Sequence, residues 1–145
     1  MDEAAEHLNA TQGLYSGYGA DDLSTLGEIA LADGNLDEAE SDFMKGLAVA
    51  EQFSIPERVA GLTANLGLVT IQRGQIPLAI HRLSTSLGLA EGLGTHHLAA
   101  QVRLWLAPLL PPEEARARLA EVRLFAESSH RQRLLEEVAR QEHAF

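Results

Sequence analysis

Apolar residues recur along this chain at three- and four-residue steps, the spacing that lines one face of an α-helix. Leu23, Leu26 and Ala30 make one such stripe, and Gly34 follows where a left-handed turn ends a helix without a Cβ penalty. Leu36, Ala39, Phe43, Leu47 and Ala50 make a second stripe. The pattern returns as Val59, Leu62, Leu66 and Val69, then Gly74, then Ile76, Ala79, Leu83, Leu87 and Ala90. A third round is altered. Val102, Leu106 and Leu110 form its first stripe, Pro111-Pro112 stand where the turn glycine stood, and Glu113-Glu114 open a helix carrying Ala115, Leu119, Val122 and Ala126. Pro108 is expected to kink or end the helix before it. Residues 129–143, with Leu134, Leu135 and Val138, predict one further helix that caps the end. No segment alternates apolar and polar residues as a strand does, so the fold class is all-α.

The rounds are copies of one another. Displaced by forty residues, Leu26, Gly27, Gly34, Leu36, Ala39, Phe43, Leu47, Ala50 and Glu51 fall on Leu66, Gly67, Gly74, Ile76, Ala79, Leu83, Leu87, Ala90 and Glu91, and seven of the nine pairs are identical. A period of this size signals stacked helical hairpins, none of which buries its apolar face alone. Small residues at Gly27, Gly67, Ala39 and Ala79 predict close helix crossings. The expected division of the single domain is a half-repeat at 3–19, repeats at 20–56 and 57–94, a degenerate repeat at 95–127 and a capping helix at 129–143. The half-repeat reads as a helix over Glu3–Tyr15, with Leu8 in the role of Phe43 and one face uncovered. Gly13, Gly17 and Gly19 read as a frayed helix end and a turn, not as a dinucleotide fingerprint, which needs a preceding strand.

Leu26, Gly27, Ala30, Gly34, Ala39, Phe43 and Gly46, and again Leu66, Gly67, Gly74, Ala79, Leu83 and Ser86, resemble the tetratricopeptide repeat. The forty-residue spacing exceeds the usual thirty-four or so. It is similar to the longer repeats of kinesin light chains and of helical sensor arrays in bacterial NTPase-type transcription activators. The resemblance implies a right-handed superhelix of stacked antiparallel helix pairs. It also implies a concave groove, lined by the first helix of each pair, that takes a peptide or partner protein. Mapped onto this chain, the groove positions are Asp21, Ser24, Thr25 and Glu28, then Ala64, Asn65, Leu68, Ile71 and Gln72, then Gln101, Leu104, Trp105 and Pro108. Asn65 matches the asparagine that, in several members, holds a bound backbone. Thr25 and Trp105 occupy its equivalent places, so no asparagine ladder runs through the array. Leu68 and Ile71 are apolar beyond what the core stripe of their helix needs, as a partner surface requires.

Composition narrows the chemistry. The 145 residues include no cysteine, which excludes disulfides, thiolate metal sites and cysteine nucleophiles. Residues 1–57 carry thirteen acids against Lys45 alone, whereas residues 58–145 carry ten arginines and eight glutamates. The C-terminal arginines (Arg116, Arg118, Arg123, Arg131, Arg133 and Arg140) interleave with glutamates, which predicts pairs within helices rather than a nucleic-acid stripe. Asp33-Gly34-Asn35-Leu36-Asp37-Glu38 has alternate oxygen ligands but lacks the glycine and glutamate of a calcium loop, and a turn explains it better. His96-His97 are adjacent rather than at zinc-ligand spacing and read as exposed residues at a helix start. Glu38, Glu40 and Asp42 read as a solvated face, and Ser128-Ser129-His130 as a helix cap.

The chain therefore predicts a module that binds a protein or peptide and catalyses nothing, with no cofactor, no metal, no nucleic acid and no membrane span. Met1-Asp2-Glu3 does not open a secretory leader, so a cytoplasmic location is expected. By resemblance the module belongs to a larger bacterial regulatory or scaffold protein, and the acidic first unit favours a partner with positive charge. The alternative is a homodimer formed through the uncapped N-terminal helix.

Overall fold

The computed structural model describes residues 16–143 and is all-helical over them. The helices are α1 (Ser16–Ala32), α2 (Leu36–Gln52), α3 (Pro56–Gln72), α4 (Ile76–Leu93), α5 (His96–Leu106), a short 3-10 turn (Ala107–Leu109), α6 (Pro112–Ser128) and α7 (Gln132–Glu142). Helix starts fall at 16, 36, 56, 76 and 96, a step of twenty residues that shrinks to sixteen before Pro112 and returns to twenty at Gln132. The forty-residue sequence period is thus a helix period of twenty taken twice. The four residues missing from the third round amount to about one helical turn. Pro108 sits in the 3-10 turn, where the ideal helix ends as expected. Residues 16–19 belong to α1, so Gly17 and Gly19 lie inside a helix and not in a turn. Glu3–Tyr15, Leu8 and Gly13 lie outside the described residues.

One turn design makes the reversals. Gly34, Ser54, Gly74, Gly94 and His130 all adopt positive φ, between 52° and 79°. After each of them a backbone N–H reaches back to the carbonyl five residues earlier: Asn35 to Ala30, Ile55 to Ala50, Gln75 to Thr70, Thr95 to Ala90 and Arg131 to Ala126, at 2.8–3.1 Å. This is the Schellman geometry, which satisfies carbonyls that the helix end leaves over. Asn35 then caps α2, its side chain bonding both the N–H and the carboxylate of Glu38. The Asp33–Glu38 stretch is therefore a helix–helix turn, as its sequence suggested.

Successive helices pack on one another, and the odd helices also touch at α1–α3 and α3–α5. Three cores result. The first joins Leu23 of α1, Ala39, Phe43 and Ala50 of α2, and Leu62, Leu66 and Val69 of α3. The second joins Ala64 of α3, Leu83, Leu87 and Ala90 of α4, and Ala99, Val102 and Leu106 of α5. The third joins Ala100 and Leu104 of α5, Ala115, Leu119, Val122 and Ala126 of α6, and Leu134 and Val138 of α7. Helices α3 and α5 thus each serve two cores. The two buried polar side chains among the described residues, Ser86 and Thr70, are satisfied within this frame. Ser86 donates to the Ala60 carbonyl at 2.7 Å, and Thr70 donates to Leu66 O at 2.7 Å while accepting from Arg82 at 2.5 Å.

Leu26 departs from the expected core stripe. It is 38% exposed and Ile29 is 56% exposed, whereas their repeat counterparts Leu66 and Val69 are 3% and 0% exposed. The reason is positional. Leu66 and Val69 lie in the core that α2 helps build, and no described helix stands before α1 in the same way. The C-terminal arginines also depart in part. Arg118–Glu121 and Arg140–Glu137 pair within a helix, but Arg123 pairs with Glu142 across α6 and α7. Arg103 lies 2.7 Å from Glu91 of α4 and 3.4 Å from Glu121 of α6, so its guanidinium ties three helices together.

The crossing glycines are tight. A Cβ on Gly27 would lie 2.5 Å from the buried Phe43 ring, and one on Gly67 would lie 2.8 Å from Cγ of the buried Leu83. Gly27→Ala and Gly67→Leu are expected to cost about 1–3 kcal/mol each, because neither neighbour has room to yield. In the same denaturation series Ser54→Gly and His130→Gly should gain up to about 1 kcal/mol each, since both relieve a left-handed backbone in a residue with a Cβ. Neutral crossing glycines, or destabilised turn variants, would contradict this packing.

Candidate partner-binding groove

With two faces of α3 committed to cores, one narrow face remains. Gly61, Asn65, Leu68 and Gln72 follow one another on it at helical spacing, half-buried to exposed. The forty-residue register places Asp21, Thr25 and Glu28 on the same strip of α1, and Gln101, Trp105 and Pro108 on that of α5 and the 3-10 turn. Two cavities open along this side.

The first, of about 230 Å³, is lined by Asp21, Ser24 and Glu28 from α1, by Glu57, Arg58, Gly61, Leu62, Ala64 and Asn65 from α3, and by Leu98 and Trp105 from α5. The second, of about 670 Å³, is lined by Gln101, Leu104 and Trp105 from α5 and by Arg133, Leu134, Glu136, Glu137, Arg140 and Gln141 from α7. Trp105 belongs to both and forms the sill between them. Its inner side packs on the core of α3, α4 and α5. Helices α1, α3, α5 and α7 therefore line the trough in order, and no residue of α2, α4 or α6 lines either cavity.

Of the residues singled out in the sequence, Asp21, Ser24, Glu28, Asn65 and Trp105 come together in the first cavity, and Gln101, Leu104 and Trp105 in the second. Leu104 is buried beneath α7 in the third core, and its carbonyl accepts a hydrogen bond from Gln141 at 3.0 Å, so it is floor rather than contact surface. Ile71 packs on the second core, Leu68 is half-buried and Gln72 is exposed, and none of the three lines these two cavities. Sequence reasoning missed Glu57, Arg58 and Leu98, which enter from the first turns of α3 and α5. It also missed the whole α7 wall. The register could have found the former, since 58 and 98 are forty apart; nothing in the repeat announces α7 as a wall.

Charge is unevenly spread along the trough. Arg58 engages Asp21 through two contacts, Nε–Oδ1 at 2.5 Å and Nη2–Oδ2 at 3.1 Å, and so joins α1 to α3. Glu28 and Glu57 are exposed, and neither forms an ion pair among the described residues. The second cavity mixes both signs, with Arg140 paired to Glu137 and Glu137 also accepting from Gln141 at 3.1 Å. The hydrogen bond to Asp37, helped by Glu40, holds Arg73 above its ordinary range. Partial burial, and then the neighbouring Glu38, raise Asp42 above the usual carboxylate range against the opposing effect of Lys45.

Among the described residues no group of three or more His, Asp or Glu side chains converges as a metal site would, and no helix is long and apolar enough to cross a membrane. His96 and His97 are exposed at the start of α5, with the His96 ring 6.2 Å from Phe125. Comparison of the chain with protein-family models, with curated proteins and with solved structures gave no match.

Because its pKa is higher in the folded chain than in the unfolded one, Asp42 favours folding when protonated, and that contribution is lost as pH rises through its folded pKa. Asp42→Asn is therefore expected to melt higher than the parent at neutral pH. The advantage should shrink as pH falls through the carboxylate range. A difference that stays constant from neutral to acid pH would show that ionisation of Asp42 is not its source.

Proposed function

We propose that the chain is a non-catalytic interaction module of the tetratricopeptide type, a right-handed superhelix of stacked antiparallel helix pairs that holds a peptide or partner protein along its concave side. One observation carries the reading: two cavities, lined in order by α1, α3, α5 and α7, meet at Trp105. A trough built from alternate helices suits an elongated ligand laid across them rather than a small substrate enclosed by them. Asn65 and Gln101 supply hydrogen bonds, Trp105 and Leu98 apolar contact, and the acidic α1 end favours a partner with positive charge. The resemblance of its repeats to those of bacterial regulatory proteins supports reading the module as a cytoplasmic scaffold or sensor. The test is affinity capture from a source-organism lysate with the parent chain and with Asn65→Ala and Trp105→Ala. Both variants should stay helical and lose at least about tenfold in affinity for the captured partner, given that buried aromatic anchors cost upward of about 1 kcal/mol when truncated. Undiminished capture by both would defeat the groove assignment.

A second reading has its own support. Leu26 and Ile29 stand exposed on α1 where their counterparts on α3 are covered, which suits self-association through that face. Sedimentation over a concentration series separates the two: a dimer broken by Ile29→Glu supports association, and a concentration-independent monomer rules it out.

A further inference from the structure

We infer that the first cavity is a seat for an arginine side chain of the bound partner; this rests on the groove reading above and names the chemistry of its ligand. The cavity joins an aromatic face to carboxylates that form no ion pair among the described residues. Trp105 lines it from α5, Glu28 from α1 and Glu57 from α3, and Asn65 adds an amide beside them. The one basic side chain on its wall, Arg58, is already engaged by both oxygens of Asp21, so Asp21 and Arg58 offset each other. What remains toward an incoming ligand is the negative charge of Glu28 and Glu57. A guanidinium fits that arrangement better than a neutral or anionic group. Its plane stacks on the indole, whose quadrupole attracts a cation, and its N–H fork reaches carboxylates at the edge. The wider field has the same sign, because residues 16–57 carry ten acids against a single lysine. Encounter with a basic segment is therefore steered toward the α1–α3 end, and the attraction weakens with salt. The second cavity differs, since Arg133 and Arg140 share it with Glu136 and Glu137 and leave no excess of either sign. The trough thus has a direction: the basic residue of the partner sits at the α1 side of Trp105.

Trp105 is the only tryptophan of the chain, so its emission reports the sill shared by the two cavities, and the Glu28 and Glu57 variants assign a change to the first. The full chain is titrated with a short acetylated, amidated peptide carrying one arginine between leucines, and with the same peptide carrying citrulline, which keeps the shape and loses the charge. Calorimetry runs beside the fluorescence. The arginine peptide is expected to shift the Trp105 emission and to bind at least about fivefold tighter than the citrulline form at low salt. The combined variant Glu28→Gln with Glu57→Gln should abolish that preference, and both changes lie on exposed positions, so a thermal melt serves as the folding control. The inference is overturned if citrulline binds as well as arginine, if the preference survives in the double variant, if binding leaves Trp105 emission unmoved, or if the arginine peptide does not bind. None of those outcomes touches the groove assignment, which stands or falls on Asn65 and Trp105 against the captured partner.

Discussion

Each of α3 and α5 must bury two faces at once, and the rest of the molecule follows from that constraint. In α3, Leu62, Leu66 and Val69 face the core shared with α1 and α2, while Ala64 and Ile71 face the core shared with α4 and α5. A helix apolar on two sides has no broad polar face to give to water, and a helical hairpin alone leaves one of those sides wet. Each hairpin therefore needs the next helix before its core is dry, which makes packing between neighbours and not local propensity the main source of stability. Gly27 and Gly67 belong to the same constraint. They remove a side chain where Phe43 and Leu83 press inward, and the space of a Cβ decides whether the helix pair can close.

Regular spacing keeps this arrangement in phase. A step of twenty residues from one helix start to the next returns each helix to its successor with its apolar faces in register, and the left-handed residue two positions before α2, α3, α4, α5 and α7 sets the reversal. The third round breaks the rule by about one helical turn. There α5 gives way to a 3-10 turn at Pro108, and Pro111-Pro112 lead into α6 without a left-handed residue. The shortened hairpin still closes its core because α7 brings Leu134 and Val138 against α6. Arg103, held between Glu91 and Glu121, ties α4 and α6 to α5 at the place where the step changes.

The trough is what two-sided burial leaves over. On α3 and α5 only a narrow strip is free of the cores, and part of what occupies it, Gly61 and Asn65 on α3 and Gln101 and Trp105 on α5, lines the cavities. Repeat positions equivalent in backbone differ in chemistry there: Thr25, Asn65 and Trp105 share one position, and Asp21, Gly61 and Gln101 share another. The scaffold repeats and its surface does not, which concentrates acid at one end and places a single indole between the two cavities.

Much of the fold was legible in the residues alone. Apolar spacing, the turn glycines and the forty-residue copy determined the helices, their order and most of their buried faces, because a helix and its turn are governed by neighbours within five residues. Asp21, Ser24, Glu28, Asn65 and Trp105 could be placed on one side by register for the same reason. What lies across space could not be read this way. The burial of Leu104 under α7, the packing of Ile71 into the second core, the exposure of Leu26 at the first helix and the pairing of Arg58 with Asp21 each depend on which helix stands opposite. So does the twenty-residue step hidden inside the forty, since Ser54 and His130 adopt the left-handed turn without a glycine to mark it. Local periodicity sets which way a side chain points along its own helix; only the docking of distant segments decides whether another helix, a cavity or water is there to meet it.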